Sequence, residues 1–275
     1  MDHTLGIDLA SKPATTGVCR LAWAPDRTEV VLLAVGAHAG RPLDDPYLLD
    51  LMCGTGGDAS GPPAPARIGI DAPLGWPRAF VAAVGRSGPW PLEDEVPPDR
   101  LVRRATDRWI HAHTGKLPLS VSTDRIAYPA MRAQRVLRRF HERTGTVAEP
   151  AGTVGPACEV YPDPAITRFG LRRPETRATE TRPSYKGPGG HGERSRLVAT
   201  LTADAPWLRL SADQRAACRA DDNALDALIC ALVARSVQCG HSSGPPAPLA
   251  EDAGTEGWIH LPPVDGLRRL APAAA

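Results

Sequence analysis

Asp8 and Asp71 each close the same three-residue phrase, Gly6-Ile7-Asp8 and Gly69-Ile70-Asp71. Each phrase ends a short apolar run, Thr4-Leu5-Gly6-Ile7 and Arg67-Ile68-Gly69-Ile70, of the kind that forms a buried strand bounded by turn residues. Two neighbouring parallel strands ended this way would set both carboxylates in the crevice at the carboxyl edge of an α/β sheet, where such sheets bind ligands. Paired carboxylates repel unless a cation neutralises them or one keeps a proton. Asp222 and Asp226 stand four apart, a spacing that shares one helix face. Asp222 suits a first helical turn because the exposed N–H groups there favour negative charge. Asp226, flanked by Leu225, Ala227, Leu228 and Ile229, needs a cation or hydrogen-bond donors if it is buried. Glu159, inside the otherwise uncharged run Cys158-Glu159-Val160-Tyr161, either joins the set or hydrogen-bonds at the sheet edge. An all-oxygen set of Asp8, Asp71, Glu159 and Asp222 or Asp226 suits Mg²⁺ or Mn²⁺ and not zinc. Two such ions clamp the attacking and leaving oxygens of a phosphodiester displacement, so the chemistry expected is hydrolysis of nucleic acid or nucleotide.

Positioning these groups requires an α/β frame. Residues 4–9, 16–24 and 29–35 read as three strands joined by tight turns, an antiparallel meander. A helix over 45–53 and a Gly/Pro-rich loop over 54–65 lead to the strand ending at Asp71. Three antiparallel strands, a crossover helix and a strand returning beside the first make the opening of an RNase H-like fold. Beyond it the pattern predicts a short helix over 78–84, a loop over 86–99 and helices over 100–114 and 129–143. The last of these offers Met131, Val136, Leu137 and Phe140 as buried residues, and together the two long helices are expected to form a cap inserted over about 77–150. A strand over 158–161 follows, then a helical turn over 164–169, a polar loop over 171–192, helices over 193–203, 211–220 and 222–237, and a late strand over 258–261. The expectation is one α/β domain over 1–264 with a mixed sheet, flanking helices and a helical insertion, and a disordered tail over 265–275.

Bulk properties narrow the class. The chain has 275 residues and a net charge of +1, which favours no polyanionic partner by itself. Its only lysines are Lys12, Lys116 and Lys186, and its six cysteines form no CxxC pair or disulfide framework. Met1-Asp2-His3 opens no signal-like segment and no stretch reaches membrane-spanning length, so a cytoplasmic protein without membrane contact is expected.

Six phrases in this order, Gly6-Ile7-Asp8-Leu9-Ala10, Ile70-Asp71-Ala72-Pro73-Leu74-Gly75, Arg104-Ala105-Thr106-Asp107, Glu159-Val160-Tyr161-Pro162, Tyr185-Lys186-Gly187 and Asp222-Asn223-Ala224-Leu225-Asp226-Ala227, resemble domain-of-unknown-function family 429. That family is regarded as predicted nucleases of RNase H-like fold. The resemblance spans about residues 5–261 and implies a metal-dependent active site at Asp8, Asp71, Glu159 and the helix of Asp222 and Asp226.

Arg104, Asp107, Tyr185 and Lys186 are substrate-binding candidates, and Lys186 is also a catalytic one. A lysine and an arginine beside a metal pair suit a phosphate, and they equally suit salt bridges to the acidic cluster. Arg132, Arg135, Arg139 and Arg143 form a helical stripe that suits a phosphate track, though without interleaved aromatic residues a solvated face is the better reading. Gly187 to Gly192 satisfies GxGxxG but follows no strand, and His111 and His113 point to different helix faces. Two other classes remain open at this level: a phosphotransferase of the actin-like sugar-kinase superfamily, with Lys12 near its phosphate turn, and a non-catalytic RNase H-like binding module.

Overall fold

The computed structural model describes residues 1–55, 63–86, 88–172 and 183–271. β1 (Asp2–Asp8) lies at the centre of a seven-stranded mixed sheet. β2 (Gly17–Trp23) and β3 (Thr28–Val35) extend it as an antiparallel meander. A small hairpin, β4 (Ala37–His38) and β5 (Arg41–Pro42), precedes α1 (Asp45–Cys53), whose first turn is capped by the Asp44 carboxylate. β6 (Arg67–Asp71) then returns parallel to β1 with Asp71 directly opposite Asp8. α2 (Arg78–Val84), α3 (Pro98–Val102), α4 (Ala105–Thr114) and α5 (Ala127–Thr144) lead to β7 (Ala157–Val160), parallel to β6. The chain continues through α6 (Pro162–Arg168), α7 (His191–Asp204), β8 (Leu208–Arg209), α8 (Ala212–Ala220), α9 (Asp222–Gln238), α10 (Ala250–Glu256), β9 (Ile259–His260) and α11 (Gly266–Arg269). The strand order is β8-β3-β2-β1-β6-β7-β9, the expected RNase H-like α/β arrangement. Among the described residues no helix is long and apolar enough to cross a membrane.

The sheet is covered on both faces. On one, α9 packs with α6, α7 and α8 over Cys19, Leu21, Cys158 and Val160. On the other, α1 and α5 cover Leu5, Ile7, Ile68 and Ile70. The alternation of a strand therefore assigns each letter of Gly-Ile-Asp a face: isoleucine to the α1/α5 side, glycine and aspartate to the α9 side.

Glycine is required there by close approach. A Cβ on Gly6 would stand 2.0 Å from the Ala227 carbonyl oxygen of α9, and one on Gly69 would stand 2.4 Å from that of Cys230. α9 thus lies with its backbone directly on β1 and β6, and its side chains are apolar nearly all round because they are buried nearly all round.

Several expectations are corrected. The single helix over 100–114 is two helices, α3 and α4, because Arg104 is an extended N-cap residue whose N–H donates to the Asp107 carboxylate at 2.9 Å. α5 is no cap: Ala133, Val136, Leu137 and Phe140 belong to the core beside Leu5 and Ile68. Met131, expected inside, is 44% exposed. The tail over 265–275 contains α11, with Leu267 and Leu270 buried, while 272–275 lie outside the described residues. Parts of the loops read over 54–65, 86–99 and 171–192 also lie outside them. β8 and α10 were not anticipated; a two-residue edge strand and a seven-residue helix leave little periodicity to read.

Gly6→Ala should lower stability by about 3 kcal/mol or more in urea unfolding, because backbone and not a flexible side chain occupies the space. Gly192→Ala, in α7 with open space around its Cβ position, should leave stability unchanged or slightly raised. Equal effects of the two changes would contradict the tight seating of α9.

Candidate metal centre

Asp8 and Asp71 end adjacent parallel strands in register, and Asp226 sits one turn into α9, whose N-terminal end covers that sheet edge. One carboxylate oxygen from each of the three lies within 4.8 Å of the others. Asp226 is fully buried and Asp8 is 8% exposed. Asp8 Oδ2 is buried and has no hydrogen-bond partner among the described residues. Burial first, then Asp226 and Asp71, pushes the Asp8 carboxyl well above the ordinary carboxylate range. Burial raises Asp71 to about 7, with Lys186 opposing and Asp226 and Glu159 adding to the shift. Burial also raises Asp226, against the opposing contacts of Lys186 and Tyr185. Three carboxylates in this confinement hold either protons or a cation. The orphaned Asp8 oxygen and the all-oxygen donor set fit a hard divalent ion.

Asp226 is oriented by the segment before α7. The Tyr185 hydroxyl donates to Asp226 Oδ1 at 2.9 Å, and the Lys186 ammonium pairs with Asp226 Oδ2. Asp222 stands outside the triad: its Oδ1 accepts the Gly187 N–H at 3.1 Å, with Lys186 and Arg194 each 3.8 Å away. Of the two helix aspartates, Asp226 is the one gathered with Asp8 and Asp71, and Asp222 anchors the loop. Tyr185 is 2% exposed, so its contact with anything outside passes through Asp226, whereas the Lys186 side chain is 45% exposed.

Glu159 does not join the three. β7 pairs Glu159 with Ile70, one residue before Asp71, so its side chain leaves the sheet on the face opposite to Asp71. There the Arg104 guanidinium donates to Glu159 Oε2 at 2.8 Å and Oε1 at 2.7 Å, and Leu74 N–H donates to Oε2 at 2.9 Å. Arg104 also donates to Asp107 Oδ1 at 2.9 Å. Arg104, Asp107 and Glu159 are 1%, 0% and 2% exposed, which corrects the reading of Arg104 and Asp107 as substrate contacts. Burial works against the arginine's charge, but the Glu159 and Asp107 carboxylates outweigh it and raise its pKa. Glu159 is thereby the anchor that ties α4 to the sheet edge.

Residues without a sequence signal complete the frame. Arg132, read as part of a solvated stripe, is buried and donates to Ala10 O at 2.8 Å, Thr16 Oγ1 at 2.7 Å, Leu43 O at 2.8 Å and Asp45 Oδ1 at 2.6 Å. It fixes the turn that follows Asp8. Arg194 is buried likewise and donates to the carbonyls of Tyr185, Gly187, Arg219 and Ala220. Half-buried Tyr161, directly after β7, has a phenol held above its ordinary pKa by burial, Asp163 and Asp71, so it stays a protonated donor near the triad. The GxGxxG stretch forms a 3₁₀ turn leading into α7, and His111 and His113 are exposed.

Arg104→Met should cost about 3–5 kcal/mol in urea unfolding, since it leaves two buried carboxylates without their cation. Unchanged stability with weakened substrate binding would return Arg104 to the substrate role.

No curated protein and no solved structure matches the chain. The family model described as "Protein of unknown function (DUF429)" matches residues 6–251, nearly the whole sheet and both helical layers, and the chain belongs to that family.

Proposed function

We propose that the chain is a divalent-metal-dependent nuclease or phosphodiesterase that takes nucleic acid or a nucleotide as substrate. The observation that supports it most is the convergence of Asp8, Asp71 and Asp226 oxygens within 4.8 Å around an unpartnered Asp8 Oδ2. These three residues would hold Mg²⁺ or Mn²⁺. A bound ion of this kind supplies Lewis acidity toward a phosphoryl oxygen and lowers the pKa of water. The remaining work falls to the chain itself. Tyr185 fixes the orientation of Asp226, and Arg132 fixes the turn beyond Asp8. Lys186, paired with Asp226 and with 45% of its side chain exposed, is the ammonium placed to meet a non-bridging phosphate oxygen. Of the five carboxylates expected to ligate, Glu159 is committed to Arg104 and Asp222 to Gly187, which leaves Asp8, Asp71 and Asp226 as the ligand set. The six unpaired cysteines suit a reducing compartment, and the cytoplasm is the location proposed.

Hydrolysis of single- and double-stranded DNA, RNA and an aryl phosphodiester should require Mg²⁺ or Mn²⁺ and stop on chelation. Asp8→Asn and Asp226→Asn should each reduce it by about 100-fold or more at unchanged fold. Chelator-resistant hydrolysis, or full activity in both variants, would overturn the reading.

Proton linkage gives a second test that needs no substrate. With Asp71 raised to about 7, the folded state holds protons that the unfolded chain has released between about pH 4 and 7. Stability of the metal-free protein should therefore fall as pH rises through that window, by an amount on the order of a few kcal/mol. Asp71→Asn should flatten this fall, and saturating Mn²⁺ should reverse it at pH above about 7. Identical pH profiles for wild type and Asp71→Asn would contradict the crowded carboxylate site.

A further inference from the structure

We propose that Lys186 is a built-in cation that occupies the acidic site in its metal-free form and leaves Asp226 when a divalent ion enters; this rests on the metal reading above. Asp226 has both oxygens engaged, Oδ1 by the Tyr185 hydroxyl and Oδ2 by the Lys186 ammonium, while Asp8 Oδ2 has no partner among the described residues. Among those residues Lys186 is the cation that serves the acidic group, and it stands on the Asp226 side of it. A divalent ion ligated by Asp226 meets that ammonium at contact range, where like charges in a poorly solvated site repel strongly.

The backbone around Lys186 is held in place. Buried Arg194 donates to the carbonyls on either side of it, Tyr185 O at 2.6 Å and Gly187 O at 2.8 Å, and the Gly187 N–H is held by Asp222. With its backbone pinned, Lys186 would leave Asp226 by rotation of its side chain, 45% of which is exposed. Turning outward carries the ammonium from Asp226 to solvent, from which an anionic substrate arrives. Metal entry and anion capture are thereby coupled: the ion releases the lysine, and the substrate's phosphate receives it.

Calorimetric titration of Mn²⁺ into wild type, Lys186→Met, Lys186→Gln and Arg27→Gln tests this. Arg27 lies in the exposed turn between β2 and β3, and its loss removes the same unit of charge at a distance. Both Lys186 variants should bind Mn²⁺ about 10-fold or more tightly than wild type, and Arg27→Gln should stay within about twofold. The metal-free Lys186 variants should also melt lower than wild type and gain more in melting temperature on adding Mn²⁺. Unchanged or weaker binding in the Lys186 variants, beside wild-type binding that Asp8→Asn abolishes, would overturn the lysine's role and leave the metal site standing. Absence of binding in every protein would overturn both.

Discussion

The backbone of α9 rests directly on the backbones of β1 and β6, and the site exists because of that contact. Gly6 and Gly69 leave no side chain between helix and sheet, so α9 lies lower than a helix packed on alanine or valine could. Two residues further along each strand, on the same face, come Asp8 and Asp71. Asp226, one turn into the helix, meets them only because the helix is seated so low. The repeated Gly-Ile-Asp is thus a mechanical unit. Glycine admits the helix, isoleucine fills the opposite core, and aspartate meets the helix's own carboxylate.

Holding three carboxylates together requires a frame that does not yield to their repulsion. Buried arginines provide it by binding main-chain oxygens as well as acids. Arg132 ties the turn after β1 to α1, Arg194 ties the Lys186 segment to the end of α8, and Arg104 ties α4 to β7 through Glu159. Each guanidinium has several fixed donors in one plane, so it links segments that apolar packing alone would leave free to slide. Among the described residues, Lys186 is the cation paired with this anionic centre and Asp8 Oδ2 has no hydrogen-bond partner.

Much of this was legible in the residues. The period-2 alternation of the Gly-Ile-Asp strands and the uniformly apolar α9 are strong local patterns, and they point to the central sheet and to Asp8 and Asp71 meeting an α9 aspartate, with the choice between Asp222 and Asp226 left open. For Glu159 the hydrogen-bonding alternative holds and the ligand one does not, because a single residue of register decides its face, and the sequence of a four-residue strand does not display register. Arg104 and Arg132 were misread because burial of an arginine is decided by partners far along the chain: Glu159 for one, Ala10 and Leu43 for the other. Arg194 has the same character. The buried face of α5 is legible at Val136, Leu137 and Phe140, but not the layer it packs on, because a helix's periodicity gives its apolar face and not its partner.

The proposed chemistry depends on where a metal binds. Crystals grown with Mn²⁺ and measured at the manganese absorption edge would locate it directly. The prediction is an anomalous peak in direct coordination with oxygens of Asp8, Asp71 and Asp226, with the Lys186 ammonium displaced from Asp226. A manganese ion bound instead at Glu159 or Asp222, or no peak between the three aspartates at saturating Mn²⁺, would contradict it.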